Sequence, residues 1–102
     1  MKNQEVKKKG RRKASRTIQI DNENVRVTSW LFEPNTETGW HKHVYNYIVV
    51  PQSEGTLSIE NKETKVLHHL KMGKSYYREL GVEHNVINKN DYSFSFIEIE
   101  LK

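Results

Sequence analysis

The sequence predicts an all-β domain built as a sandwich or barrel. From residue 17 onward, β-branched and aromatic residues fall into about eight short runs. The runs are separated by DNEN, EPNTETG, PQSEG, ENKE, KMGK, ELGVE and NKND, each of which contains Gly, Pro or Asn. No stretch shows the 3.6-residue apolar period of an amphipathic helix. Antiparallel strands at this spacing remove their exposed edges by closing or stacking, which favours a barrel or a sandwich.

Each predicted strand is a run of alternating, β-branched or aromatic residues that stops at a turn sequence. The first two flank DNEN, the third carries aromatic side chains at two-residue spacing, and the next two flank ENKE. The sixth and seventh lie on either side of ELGVE, and the last is the segment YSFSFIEIELK. In chain order the predicted strands cover residues 17–20, 25–32, 40–50, 56–60, 64–70, 75–78, 84–88 and 94–101.

The length and the charge distribution predict one folded domain with a basic N-terminal extension. The chain has 102 residues, enough for a single hydrophobic core. Residues 1–16 hold eight Lys or Arg against one Glu, a net +7, whereas the remainder holds nine against twelve, a net −3. The extension has no apolar period and few residues able to bury surface. We therefore predict a flexible basic arm over residues 1–16 and a single β-barrel domain over residues 17–102.

Composition also narrows the function classes. No apolar run reaches membrane-spanning length and no apolar h-region lies near the start, so we expect a cytoplasmic protein with no membrane partner. The absence of cysteine confines metal ligation to nitrogen and oxygen atoms. Outside the arm there is no basic stripe or recognition-helix pattern, so nucleic acid is not an expected partner. We interpret the arm as solubilising, with loose attraction to phosphate-rich polymers as the alternative.

The segment GWHKHVYNY carries the first chemical signal. Side chains alternate along a strand, so His41, His43, Tyr45 and Tyr47 are expected on one face at intervals of about 6.6 Å. Two imidazoles spaced in this way can hold one metal ion. The pair alone is weak support, because His-x-His also occurs by chance on solvent-facing strands. A third ligand from another strand is needed.

A second motif supplies that ligand. In the segment GKSYYRELGVEHNVIN, five residues separate Gly73 from Glu79, and one residue separates Glu79 from Gly81. Two residues then precede His84, and three more precede Asn88. This resembles the second motif of the cupin superfamily, in which the position of Glu79 is proline. The resemblance spans residues 25–101, and stretches such as YNYIVVP are similar to small single-domain, type-2 cupins of bacteria, some of them linked to β-alanine breakdown.

The first cupin motif is matched less completely. His41-x-His43 and Gly55 are present, but the glutamate expected between them is missing. Counting back from Gly55 places Ile48 at that position, and Ile48 has no ligand atom. An alternative alignment that lengthens the turn before Gly55 places Asn46 there, with Tyr47 as the competing occupant.

The resemblance implies a cupin double-stranded β-helix, a jelly-roll-like barrel that holds a metal inside. His41, His43 and His84 carry over as metal ligands, and Asn46 is the candidate fourth. Three imidazoles suit a divalent transition metal such as zinc, iron, nickel or manganese better than Mg²⁺ or Ca²⁺. Cupins of this size also pair with a second copy. We expect a homodimer formed through outer apolar residues, namely Ile18, Ile20 and Val27.

Further residues are candidates for binding a small-molecule substrate. Under that interpretation aromatic rings line the barrel mouth, an arginine holds a substrate carboxylate, and an acidic side chain points into the barrel. The alternatives are plain packing for the rings, a surface ion pair with Glu79 or Glu83 for the arginine, and a bulge or sheet crossing that turns the acidic residue outward. The candidates are Tyr45, Tyr47, Tyr76, Arg78 and Glu98.

The sequence favours one function and leaves two alternatives open. The first is a metal-binding cupin that acts on a small polar or anionic metabolite by Lewis-acid or dioxygenase chemistry. The second is a binding module without catalysis, and the third is a structural cupin that has lost its metal. Fold alone does not decide, because one barrel hosts many chemistries. Catalytic residues, substrate and metal identity are not specified, although Glu98 is the candidate general base if it points inward.

Overall fold

Every regular element in the computed structural model, which describes residues 10–102, is a β-strand. This confirms the predicted all-β class. Within that range no helix has the length and hydropathy needed to cross a membrane. The strands are β1 (Ser15–Asp21), β2 (Val25–Phe32), β3 (His41–Lys42), β4 (Asn46–Pro51), β5 (Gly55–Glu60), β6 (Lys65–Leu70), β7 (Tyr76–Arg78), β8 (Glu83–Asn88) and β9 (Phe94–Leu101).

The strands form two sheets, and every strand pair within them is antiparallel. One sheet has the order β1-β2-β9-β4-β7, and the other has the order β3-β8-β5-β6. From β2 to β9 the chain changes sheet at every connection except the β5–β6 hairpin. This winding produces the predicted jelly-roll-like double-stranded β-helix, with its interior between the two sheets.

The core fills one part of that interior with apolar side chains from both sheets. Phe32 and Phe94 are fully buried, and Phe32 packs against Phe96 with ring centroids 5.4 Å apart. Burying such a side chain contributes roughly 1.5–3 kcal/mol. The buried cluster consists of Phe32, Tyr47, Val49, Leu57, Leu70, Val86, Phe94 and Phe96.

The predicted third strand is two strands in different sheets. β3 pairs with β8 in the four-stranded sheet, whereas β4 pairs with β9 and β7 in the five-stranded sheet. Between them the backbone of His43 still bonds the turn before β8, accepting from Gly81 N at 2.8 Å and donating to Val82 O at 2.8 Å. The crossing therefore comes after His43, and the prediction of one continuous strand over residues 40–50 is wrong.

The last strand keeps one register along its whole length. β9 pairs without interruption with β2 on one side and with β4 on the other. Phe94, Phe96, Glu98 and Glu100 consequently share the inner face, with polar residues following apolar ones. The bulge or sheet crossing considered for this segment does not occur, and Glu98 points inward.

A bulge occurs in β1 instead. The β1–β2 register shifts between Ile18 and Ile20, so that Ile18 pairs with Thr28 and Ile20 pairs with Val27. Thr28 is buried on the inner face, whereas Val27 lies on the outer face. Because the extra residue reverses the alternation, Ile18 faces inward and Ile20 outward. Ile18 therefore does not belong to the outer apolar surface on which it was predicted.

The predicted basic arm overlaps the folded domain. Residues 1–9 lie outside the described residues, but from residue 10 the chain follows the barrel. Ala14 N donates to Glu37 O at 2.8 Å, and β1 begins at Ser15. Arg11 Nη1 and Lys13 Nζ lie 3.3 Å and 3.4 Å from the Glu37 carboxylate. The boundary at residues 16 and 17 thus falls inside a strand.

Two features of the second motif have structural roles. Gly73 and Gly81 adopt φ angles of 79° and 97°, a region that favours glycine. Asn88 is fully buried, and its Nδ2 atom donates to the carbonyl oxygens of Phe32 and Tyr92 at 3.1 Å and 2.9 Å. Asn88 therefore ties β8 to the end of β2 and to the turn before β9, and it does not line the site described below.

Candidate metal centre

Three histidines from the two motifs meet inside the barrel. His41 and His84 are directly paired across β3 and β8, and His43 follows two residues after His41. The Nε2 atom of His43 lies 3.1 Å from Nε2 of His41 and 3.2 Å from Nε2 of His84. His43 and His84 are 5% and 8% exposed. The sheet register therefore brings together three imidazole nitrogens that are 43 residues apart in sequence at the widest.

Burial keeps two of the three histidines neutral, and a backbone carbonyl binds the Nδ1 atom of the third. Burial, followed by the neighbouring His41, lowers the pKa of His43 to about 4 and that of His84 to about 3. Both rings are therefore neutral near pH 7. The Nδ1 atom of His41 lies 2.9 Å from the carbonyl oxygen of Gly39, which only accepts hydrogen bonds. Nδ1 of His41 thus carries a proton, which leaves its Nε2 atom as the ring nitrogen placed to bind a metal.

The donor set fits a transition metal. Three nitrogen atoms facing one another need a shared proton or a cation between them to offset lone-pair repulsion. Two nitrogens bound to one Zn²⁺ at about 2.0–2.1 Å lie roughly 3.0–3.4 Å apart. The observed separations of 3.1 Å and 3.2 Å lie in that range. His41, His43 and His84 therefore form a candidate site for a divalent transition metal.

A hydrogen-bonded loop fixes the orientation of His41. Asn85 Oδ1 accepts from Gly39 N at 2.9 Å, and Asn85 Nδ2 donates to Glu37 Oε1 at 2.9 Å. The Gly39 carbonyl in turn accepts from His41, and Thr38 Oγ1 lies 3.3 Å from the same Nδ1 atom. Such outer hydrogen bonds set the tautomer and the direction of a ligating imidazole. Asn85 thus connects the loop over residues 37–39 to the metal centre.

Glu98 places a carboxylate beside the histidines. Its Oε2 atom lies 3.9 Å from Nε2 of His43, and its Oε1 atom accepts from Trp30 Nε1 at 3.4 Å. Burial, with a smaller contribution from Glu100, raises the pKa of Glu98 to about 7. Glu98 is not part of the convergent three-histidine group. Its position suits hydrogen bonding to whatever binds beside the metal.

Asn46, the candidate fourth ligand, does not join the cluster. It is the first residue of β4, and its Oδ1 atom accepts from Leu80 N at 2.9 Å. The next residue, Tyr47, takes the inner face, so alternation turns Asn46 away from the barrel interior. The alignment that placed Asn46 at the missing glutamate is corrected by this geometry. Tyr47 is the inward-facing residue of the two.

The three predicted tyrosines have different surroundings. The Tyr47 ring stacks on His43 with centroids 3.8 Å apart, and burial raises the pKa of its hydroxyl. Burial also raises the pKa of Tyr76 to about 12, so both hydroxyls stay protonated. Tyr45 is half-buried and does not border the cavity beside the histidines, and the Arg26 guanidinium lies 5.9 Å from its ring centroid. Tyr47 and Tyr76 therefore line the site, and Tyr45 does not.

The centre lies between two larger pockets. A cavity of about 30 Å³, here called the central cavity, is bordered by all three histidines, Glu98 and the two inner tyrosines. It has room for one water molecule or a comparably small group. On one side the β1 pocket, of about 490 Å³, is bordered by His41, His43, Glu98 and residues of β1 and β2. On the other side the β7 pocket, of about 500 Å³, is bordered by His84, Tyr76, Arg78 and apolar residues.

Arg78 lies in the β7 pocket without an acidic partner among the described residues. Its guanidinium stacks 4.5 Å from the Tyr76 ring centroid, and its Nη1 atom donates to Tyr77 O at 3.0 Å. Glu83, one of its predicted partners, instead lies near Lys62 and accepts from Trp40. The surface ion pair considered for Arg78 is therefore absent from the described structure.

The other two histidines stand apart from the centre. His68 packs against Tyr76 with centroids 5.3 Å apart, and His69 is exposed beside Glu54 and Thr56. Neither belongs to the convergent group of three. They provide natural controls for any experiment on metal binding.

Sequence reasoning missed four residues that shape the site. Trp30 lies on the inner face with Phe32, and strict alternation along β2 was the available signal. Asn85 follows His84, so alternation along β8 places it on the opposite face, and no local pattern indicates that the loop over residues 37–39 covers it. Arg16 and Arg26 border the β1 pocket through pairing between strands that are distant from the histidines in sequence.

Known proteins share both the sequence and the fold. No protein-family model matches the chain. The chain is 46% identical over 93 residues to the beta-alanine degradation protein BauB of Pseudomonas aeruginosa, which covers 91% of this chain and 98% of that protein. A cupin domain from Bordetella pertussis Tohama I is 53% identical with a TM-score of 0.89, covering 90% of this chain and 96% of that one. A cupin-2 domain protein from Shewanella frigidimarina, 24% identical with a TM-score of 0.61, covers 86% of this chain and 80% of its own and shares the fold. The chain therefore belongs to the cupin family.

Proposed function

We propose that the protein is a metal-dependent cupin that acts on a small polar or anionic metabolite. The observation that carries the proposal is the approach of three imidazole nitrogens to 3.1 Å and 3.2 Å inside the barrel. Three neutral ligands leave the double positive charge of a divalent ion uncompensated, and this favours an anionic ligand. A divalent metal held by His41, His43 and His84 would supply Lewis-acid or redox chemistry.

The surrounding side chains have separate tasks in this proposal. Tyr47 and Tyr76 keep their hydroxyl protons and donate hydrogen bonds to a ligand that enters the central cavity. Glu98 accepts a proton at its carboxylate, since a base with a pKa of about 7 exchanges protons readily near neutral pH. The small volume of the central cavity limits entry to one reacting group and excludes bulk water. The remainder of the metabolite occupies an adjoining pocket.

The related Pseudomonas protein suggests a substrate class. Its name connects it with β-alanine degradation, and 46% identity over nearly its whole length supports a related ligand for this chain. We propose that the metabolite is β-alanine or a short carboxylate of similar size. Such a molecule satisfies the preference of the site for an anion, and it fits within either outer pocket.

Calorimetric titration of β-alanine tests the proposal. Protein purified without a metal-binding tag is compared before and after treatment with a chelator, with metal content measured in both samples. We expect β-alanine to bind the metal-loaded protein and to lose most of its affinity after chelation. Equal binding in the two samples would show that the metal plays no part in recognition.

A binding module without catalysis is the second candidate. The observation that favours it is that, among the described residues, Glu98 is the one carboxylate bordering the central cavity. If Glu98 serves only to hold the ligand, no proton acceptor is left for a reaction. Incubating the metal-loaded protein with β-alanine and following the amino acid by NMR separates the candidates, because a binding module leaves it unchanged.

We also propose that two copies associate through the outer face of the five-stranded sheet. Its residues alternate with the inner ones and include several aliphatic side chains, among them Ile20, Val27, Ile48, Ile97 and Ile99. Ile20 is 48% exposed. An apolar face of this kind can pair with itself around a two-fold axis. Light scattering at tens of micromolar is expected to give the mass of a dimer, and a monomer would contradict the assignment.

A further inference from the structure

Three cationic side chains border the β1 pocket, and two of them already have partners. Arg26 donates to both carboxylate oxygens of Glu100, at 2.6 Å and 3.2 Å. Lys13 Nζ lies 3.4 Å from Glu37 Oε2. Arg16 has no carboxylate within salt-bridge distance among residues 10–102. The pocket therefore contains one arginine that makes no salt bridge within the described residues, although its charge partly offsets the rise that burial causes in the pKa of Glu98.

Arg16 is connected to the metal centre by a short wall of side chains. It pairs with Trp30 in the β1–β2 register, and its guanidinium lies 6.0 Å from the Trp30 ring centroid. Trp30 Nε1 donates to Glu98, whose other oxygen lies 3.9 Å from His43. His41 and His43 border the same pocket. A molecule that fills this pocket can therefore contact both the arginine and the two histidines.

We propose that Arg16 binds the carboxylate of the substrate, which enters through the β1 pocket and presents its opposite end to the histidines. This assignment rests on the proposed function and names the anchoring residue for its anionic substrate. A guanidinium holds a carboxylate through two parallel N–H donors. This pocket brings together an arginine without a salt-bridge partner, the hydrogen-bonded pair Trp30 and Glu98, and two of the three histidines.

The β7 pocket is less suited to that role. Arg78 is stacked on Tyr76 and already donates to a main-chain oxygen. Its neighbours in the pocket include Ile59, Val66 and Val82, and His84 is the only one of the three ligands that borders it. An apolar lining favours the carbon skeleton of a ligand over its charged group. Arg78 thus serves as a matched control for Arg16.

The test uses propionate and propionamide, two probes of the same shape that differ in charge. Both are titrated into wild-type, Arg16→Gln, Arg16→Lys and Arg78→Gln protein, with metal content and melting temperature recorded for each. We expect Arg16→Gln to raise the Kd of propionate roughly tenfold or more, because a charge-assisted hydrogen bond is lost. Arg16→Lys is expected to lose less affinity, and propionamide binding and Arg78→Gln are expected to be unchanged.

Unchanged propionate affinity in Arg16→Gln, at full metal occupancy, overturns the assignment. So does a loss of affinity in Arg78→Gln alone, since the anion then enters from the β7 side. A loss in Arg16→Gln that extends equally to propionamide also contradicts it, because the effect then does not depend on charge. Absence of metal from the wild-type protein is a different result, which contradicts the proposed function.

Discussion

The β1 pocket and the β7 pocket have almost the same volume, about 490 and 500 Å³, but different chemistry. The β1 pocket is bordered by three cationic and two acidic side chains together with Trp30. The β7 pocket combines three aliphatic side chains and two tyrosines with two histidines, one asparagine, one arginine and one glutamate. Polar groups fix the orientation of a ligand, whereas apolar groups contribute contact area. The β1 pocket is therefore suited to the charged group of a ligand, and the β7 pocket is suited to its apolar groups.

The difference arises from the sheet that supplies each wall. The β1 pocket lies against the inner faces of β1 and β2, where Arg16 pairs with Trp30, and Arg26 lies four residues before Trp30 on β2. The β7 pocket lies between β7 and the hairpin of β5 and β6, where Ile59 and Val66 are paired. The three histidines lie between the two pockets, because His41 and His43 border the β1 pocket and His84 borders the β7 pocket. The candidate metal centre is therefore open to two pockets of different chemistry.

Replacing Trp30, which borders both the β1 pocket and the central cavity, should have the largest effect on stability. Trp30 is half-buried, stacks on Phe32 with centroids 6.0 Å apart and bonds Glu98. We expect Trp30→Ala to lower the free energy of unfolding by about 2–4 kcal/mol, measured by urea denaturation. Trp40→Ala is the control, because Trp40 is 48% exposed, and it should cost under about 1 kcal/mol. Equal losses of unfolding free energy in the two variants would contradict a role for Trp30 in packing between the β1 pocket and the central cavity.

Two asparagine variants test which hydrogen bonds orient the histidines of the candidate metal centre. Asn85→Ala removes the bonds to Gly39 and Glu37 that position His41, so metal affinity is expected to fall about 10- to 100-fold. Asn46→Ala removes only a bond to the Leu80 amide and should leave metal affinity unchanged. Competition against a chromophoric chelator measures both. The reverse outcome would restore Asn46 as a ligand and contradict the observed orientation.

The attachment of residues 11–13 beside the β1 pocket gives a smaller, pH-dependent effect. Burial alone would raise the pKa of Glu37, but hydrogen bonds from Asn85, Arg11 and Lys13 outweigh it and hold the pKa below its usual value. A lowered folded-state pKa stabilises the protein above the unfolded pKa of about 4.5, and this contribution is lost as the pH falls through the folded-state value.

Glu37→Gln should therefore cost about 1–2 kcal/mol of unfolding free energy at pH 7, and the difference from wild type should shrink toward pH 3. Glu23→Gln, in the exposed turn after β1, is the control and should have little effect at either pH. Urea denaturation at the two pH values provides the measurement. A cost for Glu37→Gln that is the same at both pH values would exclude the ionised carboxylate as its source.

Local patterns in the sequence predict most of the fold and the centre of the site. The turn sequences and the alternating runs locate the strands, and the spacing from Gly73 to His84 identifies the third histidine of the candidate metal site. Strict alternation along YSFSFIEIELK is one of the two interpretations considered for that segment, and it gives the inward direction of Glu98 because β9 keeps one register. These features depend only on residues within a few positions of one another.

Long-range pairing explains what could not be predicted. Alternation continues through HKHVYNY although the chain changes sheets there, so the pattern gave no sign that Tyr45 does not border the site with Tyr47. Asn46 lies on the face opposite Tyr47, as alternation predicts. The bulge in β1 places Ile18 and Ile20 on opposite faces of the sheet, and no glycine in the sequence marks its position. Arg16 belonged to a segment whose composition resembled a disordered arm. Its pairing with Trp30 depends on the whole sheet, which no short window of sequence contains.

The metal content of single histidine variants tests the central claim most directly. Each of the five histidines is replaced by alanine, the proteins are purified without an affinity tag, and bound metal is measured by mass spectrometry. We expect about one ion per chain in the wild type, His68→Ala and His69→Ala, and a loss of most of the metal in His41→Ala, His43→Ala and His84→Ala. Full metal occupancy in His84→Ala, or equal loss in all five variants, would contradict a centre formed by these three side chains.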